Sequence, residues 1–190
     1  IDRPTRREVS IGGTALNSLS EGQVSICRVN SLGIVFQFFQ LLPPLTILEN
    51  LLLAMDFARR IPPAEREGRA RSLLERVGLA EMADQMPAQL SGGQQQSAAV
   101  ARALANDPPL IVADEPTGNL DSRSAETVFG LFADLVQQGK TVLMVTHDAT
   151  LARRAPRTLV LSDGYLINEA VTRSLPDLPH PELLCLSQQL

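Results

Sequence analysis

The residues with chemistry to offer fall at the ends of short apolar runs. Asp114 and Glu115 are adjacent carboxylates closing a run from Leu110 to Ala113, which follows Pro109. A short unbroken apolar run ending in acids reads as a buried parallel strand, covered on both faces, that delivers charge to the carboxyl edge of a sheet. Open α/β sheets bind their ligands along that edge. A second run, Thr141 to Thr146, delivers His147 and Asp148 in the same way, and Gln37 follows a third, Gly33 to Phe36. Upstream of the acids, Ser91-Gly92-Gly93 precedes an Ala-rich helix from Gln94 to Leu104. A helix amino end fronted by glycines suits an anion such as phosphate. Each feature has a plainer alternative. Ser91 to Gly93 is also a turn with an N-cap, Glu115 a turn acid, His147 a hydrogen-bonded sheet-end histidine and Gln37 a surface loop residue.

The elements that must hold these groups can be read from caps and turns. Glu8 to Ile11 alternates and stops at Gly12-Gly13, a short strand entering a turn. Thr46 and Glu49 form a capping box ahead of a helix reaching about Ala58. Pro62-Pro63 separates it from a charged helix, Ala64 to Val77, closed by Gly78. Asp121 or Ser122 caps a further helix ending at Gly139, and Arg157 to Leu161 makes a last strand turned by Asp163-Gly164. The segment from Val171 onward mixes prolines and leucines without a usable period.

Bulk properties narrow the function classes. With 190 residues, 44% hydrophobic and 20% charged, the chain suits one compact globular domain. A net charge of −4 leaves no electrostatic footprint for nucleic acid. Cys27 and Cys185 lack C-x-x-C spacing and fit a reducing compartment. No apolar run approaches the length of a membrane span.

In this order, L-S-G-G-Q-Q-Q and L-I-V-A-D-E-P-T-G-N-L-D resemble the signature motif and the Walker B segment of ABC transporter ATPases, and the likeness extends from about Arg3 to Ile167. The resemblance implies an α/β fold of the P-loop NTPase type, a mainly parallel sheet with an inserted helical lobe at about 41–107. The domain would span 1–170, leaving 171–190 as a tail of unknown role. It further implies ATP and Mg²⁺ as ligands. Asp114 would hold Mg²⁺ through water, Glu115 would be the general base, His147 would contact the γ-phosphate, and Gln37 would sense metal and water. Ser91, Gly92, Gly93 and Gln94 would cap the γ-phosphate on a partner's ATP. The loop Gly118 to Asp121 would pass information across the dimer. The implied partners are a second ABC ATPase domain and a membrane permease. The implied place is peripheral, on the cytoplasmic face of the inner membrane. F-Q-F-F-Q-L-L-P-P-L-T-I-L-E-N and D-E-P-T-G-N-L-D are closest to the lipoprotein-releasing and macrolide-export branch. Two other readings stay open: a degenerate or truncated non-catalytic domain that docks a permease or completes a partner's site, and a soluble ABC-type ATPase of DNA repair or translation.

One departure is large. A P-loop needs G-x-x-x-x-G-K-[ST] between a strand and a helix. The only lysine is Lys140, and Asp134 stands where the first glycine of a motif ending Gly139-Lys140-Thr141 belongs. That triplet also precedes a strand instead of following one. The resemblance therefore implies that the amino-terminal, P-loop part is missing. Its strand would lie between those of Thr141–Thr146 and Arg157–Leu161. The expectation is a vacancy about 10 Å wide there, or direct pairing of the two strands after collapse. A smaller departure is Ser97-Ala98-Ala99, where the family continues with an arginine and a bulkier pair.

Overall fold

A computed structural model of the chain describes residues 8–171 and 183–188. Expectations falling on 1–7, 172–182 and 189–190 lie outside the described residues. The described part opens with an antiparallel ribbon, β1 (Ser10–Ile11) and β2 (Thr14–Ala15), turned by Gly12 and Gly13 at positive φ. Helix α1 (Glu21–Ser31) follows. Sequence periodicity does not announce it, because it buries none of its residues; a capping box between Ser20 and Gln23 marks its start. Strand β3 (Leu32–Val35) then leads through a loop into α2 (Ile47–Ala58). The expected box opens α2: Glu49 N–H donates to Thr46 Oγ1 at 3.2 Å, and Thr46 N–H donates to Glu49 Oε2 at 2.7 Å. Helix α3 (Pro63–Arg76) starts on a proline, which has no N–H to leave unsatisfied in the first turn, and ends before Gly78 at φ 73°.

The second half supplies the sheet: α4 (Gly92–Ala103), β4 (Leu110–Asp114), α5 (Ser122–Gln137), β5 (Thr141–Thr146), α6 (Ala149–Ala152), β6 (Arg157–Ser162), β7 (Tyr165–Val171) and β8 (Leu183–Gln188). Six strands are ordered β3-β4-β5-β8-β6-β7, and every neighbouring pair is parallel except β6 with β7. The architecture is α/β with a mainly parallel sheet, as the motifs imply.

Coverage of the strands is less even than expected. In β4 and β5 buried residues alternate with half-buried ones, so one face is sealed and the other is partly open. The sealed positions Ile111, Ala113, Val142 and Met144 share a core with Val100 and Leu104 of α4 and with Phe129, Phe132 and Leu135 of α5.

The expected vacancy does not exist. Strand β8 lies between β5 and β6, with Met144 opposite Cys185 and Thr158 opposite the same cysteine on the other side. Neither an open slot nor direct β5–β6 pairing occurs. Residues 183–188, expected in a tail, are a central strand. The physical reason is the cost of leaving the backbone groups of two interior strand edges unpaired. The apolar Leu183 to Leu186 segment satisfies both edges at once.

Candidate functional site

The carboxyl edge of β4 and β5 brings four of the candidate residues into one region. Strand β4 ends at Asp114, opposite Val145 of β5. The next residue, Glu115, turns out of the strand with φ 44°, a left-handed conformation uncommon outside glycine. Its N–H still donates to Val145 O at 2.9 Å, so the backbone remains tied to the sheet while the side chain is redirected. Such strain persists only where the surroundings over-determine it, and it concentrates at functional sites.

Those surroundings are explicit. Glu115 Oε1 accepts from the His147 backbone N–H at 2.8 Å and lies 2.7 Å from His147 Nδ1. Glu115 Oε2 accepts from Thr146 Oγ1 at 3.2 Å. Thr146 Oγ1 in turn accepts from Asp148 N–H at 3.1 Å. The carboxylate has 17% of its side chain exposed and the imidazole 58%, so the carboxylate is recessed behind a ring that lies open to solvent. Thr146 is the residue that the motifs did not single out. The available signal was a polar side chain in phase with Val142 and Met144, on the sealed face of a strand.

Asp114 is exposed at the strand end, and its carboxylate makes no hydrogen bond or ion pair among the described residues. An uncommitted carboxylate beside a cleft suits a hydrated divalent cation. Gln37 approaches from the far side. Asn119 Nδ2 donates to Gln37 O at 3.3 Å, and a Cβ built on Gly118 would sit 3.1 Å from Gln37 Nε2. Glycine at 118 therefore lets the glutamine amide lie against the turn that carries Glu115. An open cleft beside this group is lined by Glu115, Thr117, Gly118, Thr146, His147 and Asp148.

The remaining candidates form a second group. Ser91 caps α4: its Oγ accepts from Gln94 N–H at 3.3 Å, while Gln94 Oε1 accepts from Ser91 N–H at 2.9 Å. Asp121 caps α5 with Oδ1 accepting from Arg123 and Ser124 N–H, both at 3.0 Å, and Oδ2 accepting from Ser124 Oγ at 2.7 Å. The Ser124 hydroxyl and backbone bonds hold the Asp121 carboxyl below its usual range. The two caps face each other closely. A Cβ on Gly93 would lie 2.6 Å from Ser124 Oγ, and one on Gly92 would lie 3.6 Å from Leu120 Cδ2. Ser91 to Gln94 thus pack against Leu120 to Ser124 and not against the Glu115–His147 pair.

Lys140 is remote from both groups. It precedes β5 at the sheet's amino edge, where Nζ pairs with Asp107 Oδ1 at 2.7 Å. It contributes nothing to a phosphate cradle at the carboxyl edge.

Comparison with known proteins agrees with the geometry. The family described as ABC transporter matches residues 2–118. An uncharacterised ABC transporter ATP-binding protein of Bacillus subtilis is 43% identical over 167 residues, covering 88% of this chain and 72% of the relative. A counterpart in Mycobacterium tuberculosis is 41% identical over 185 residues, covering 97% of this chain and 74% of the relative. Among solved structures, the ATP-binding cassette MJ0796, seen as a dimer in a post-hydrolysis state with ADP and Pi, superposes with a TM-score of 0.81. It is 43% identical, covering 92% of this chain and 77% of that one.

Proposed function

This chain belongs to the ABC transporter family of ATP-binding proteins, and on that premise we propose that it hydrolyses ATP to drive export or lipoprotein release through a membrane permease. The observation that supports this most is the Glu115 carboxylate, strained out of its strand and held beside His147 at the sheet's carboxyl edge. Glu115 is the general base: its recessed carboxylate takes the proton of the attacking water once the imidazole moves off Oε1. His147, freed, reaches the γ-phosphate. Asp114 and the Gln37 amide would hold Mg²⁺ through water. When bound, that ion offsets charge on the β- and γ-phosphates. Ser91, Gly92, Gly93 and Gln94 present the amino end of α4 to the γ-phosphate of a partner domain's nucleotide, because a helix amino end favours an anion. Asp121 anchors the loop that meets the partner. A dimer of such domains, seated on a permease at the inner membrane's cytoplasmic face, is the working unit.

Two measurements test the proposal. In a version extended at its amino end by a G-x-x-x-x-G-K-[ST] segment, replacing Glu115 by glutamine preserves shape and hydrogen bonding but removes proton acceptance, so phosphate release should be nearly abolished while nucleotide binding persists. Release that is unaffected by Glu115→Gln would remove Glu115 from the chemistry. The second is calorimetric titration with Mg-ATP. The sequence has no G-x-x-x-x-G-K-[ST], and each absent charge-assisted hydrogen bond is worth about 1.5–3 kcal/mol. Three such bonds amount to roughly 5 kcal/mol, more than a thousandfold in affinity. Binding by the chain alone should therefore be weaker than about 100 μM. Saturable binding tighter than that limit would refute the argument from the missing cradle.

A further inference from the structure

Between β3 and α2 the chain passes through Phe36 to Leu45, the loop that carries Gln37. Phe39 and Gln40 are consecutive non-glycine residues at positive φ, 57° and 53°. Gln40 N–H folds back onto Phe38 O, closing a tight turn centred on Phe39. Two adjacent left-handed residues in an ordinary sequence are costly and need an external hold. Helix α4 supplies it. Arg102 directs its guanidinium at two of the loop's carbonyls, donating from Nη2 to Phe39 O at 3.0 Å and from Nη1 to Gln40 O. Burial lowers the Arg102 pKa, and no carboxylate pairs with it among the described residues. One turn and a half earlier on the helix, Gln96 is completely buried, and its Nε2 makes a long 3.4 Å bond to Phe36 O. Gln96 Oε1 has no hydrogen-bond partner. A fully buried amide is costly to place in a helix unless it bonds, and here its donor is spent on a carbonyl of the loop. The loop's other end is pinned separately: Asn50 of α2 accepts from Leu42 N–H at 2.8 Å and donates to Leu42, Leu45 and Thr46 carbonyls.

We propose that Gln96 and Arg102 are positioning residues for Gln37, holding its loop in a strained shape through the three carbonyls of Phe36, Phe39 and Gln40. The inference rests on the reading of Gln37 as a residue that orients metal and water. The same helix carries Ser91 to Gln94 at its amino end, so a shift of α4 moves the Gln37 loop with it.

The test is amide hydrogen exchange measured by NMR on the full chain, with Gln96→Met and Arg102→Lys, alongside urea unfolding and phosphate release. Methionine keeps the volume of Gln96 and deletes the unpartnered oxygen, so global stability should hold or rise. In the same variant the Phe39 and Gln40 amides should exchange about tenfold faster, the change expected for about 1.4 kcal/mol of lost local protection. Arg102→Lys keeps the charge but loses the two-pronged grip and should loosen the same amides. Turnover should fall with them, with kcat reduced at preserved stability, a combination that a merely structural role does not produce. Unchanged exchange in both stable variants would overturn the proposal, and so would faster exchange with full turnover. Phosphate release is read in a version extended by a G-x-x-x-x-G-K-[ST] segment; if that version releases none, the hydrolysis reading fails, while the exchange data still decide whether α4 holds the loop.

Discussion

The contact between the two caps can be tested at Gly93. A methyl group there would sit 2.6 Å from Ser124 Oγ and 2.8 Å from Ser124 Cβ. Carbon atoms pack favourably at about 3.5–4.0 Å, so the amino ends of α4 and α5 must separate by roughly 1 Å. Ser124 cannot rotate away cheaply, because its hydroxyl is bonded to Asp121 and its Cβ is itself too close. Overpacking of this kind costs about 1–3 kcal/mol. Alanine returns at most about 1 kcal/mol through its better helix propensity. The Gly93→Ala variant should therefore be destabilised by about 1–2 kcal/mol in urea unfolding. In a chain of this size that lowers Tm by about 2–4 °C per kcal/mol. Gly92→Ala is the internal control: its nearest neighbours are 3.6 and 3.8 Å away, ordinary contact distances, so its stability should be unchanged or slightly higher. Adding Ser124→Gly to Gly93→Ala should recover part of the loss, which a double-mutant cycle measures directly. If Gly93→Ala is as stable as Gly92→Ala, the close approach of the two caps is wrong.

Two further outcomes follow from titration behaviour. Burial, with a smaller contribution from the Glu115 charge, pushes the Cys185 thiol up to about 11. A Cys27→Ser variant should therefore resist a disulfide reagent at pH 8 until denaturant withdraws β8, and fast labelling in native buffer would mean that β8 does not fill the sheet. Hydrogen bonding and charge from Lys140 hold the Asp107 carboxyl below its usual range. A depressed folded pKa contributes stability that is present above the unfolded value of about 3.9 and is lost as pH falls through the folded one. Lys140→Met should flatten that acid limb, by a modest amount because the Asp107 side chain is 71% exposed. An acid limb identical to the wild type would show that the pair does not matter to stability.

What could be read in advance was local. The capping box at Thr46, the N-caps at Ser91 and Asp121 and the apolar runs of β4 and β5 each depend on residues a few positions apart. The acids and His147 were legible for the same reason, because a strand's end fixes where the next side chain emerges. Strand β8 was not legible. Its Leu-Leu-Cys-Leu run follows a proline-rich segment and has meaning only through partners far away in sequence, Val142 to Thr146 and Arg157 to Leu161. Thr146 was hidden because its hydroxyl matters only once β4 brings Glu115 alongside, and Gln96 because helical periodicity marks it as core without revealing its amide bond.

The position of β8 has a mechanical side. It runs parallel to both neighbours, with Ser187 opposite Thr146 and Gln188 opposite Leu161, so the chain leaves the sheet beside the Glu115 cleft. A pull applied at Gln188 would load β8 along its own axis, shearing its bonds to β5 and β6 together instead of unzipping them one by one. Because, among the described residues, β6 and β7 reach the rest of the sheet only through β8, one slipped strand would release a whole hairpin. A force-spectroscopy handle attached at Gln188 would therefore report on the grip of a single six-residue strand.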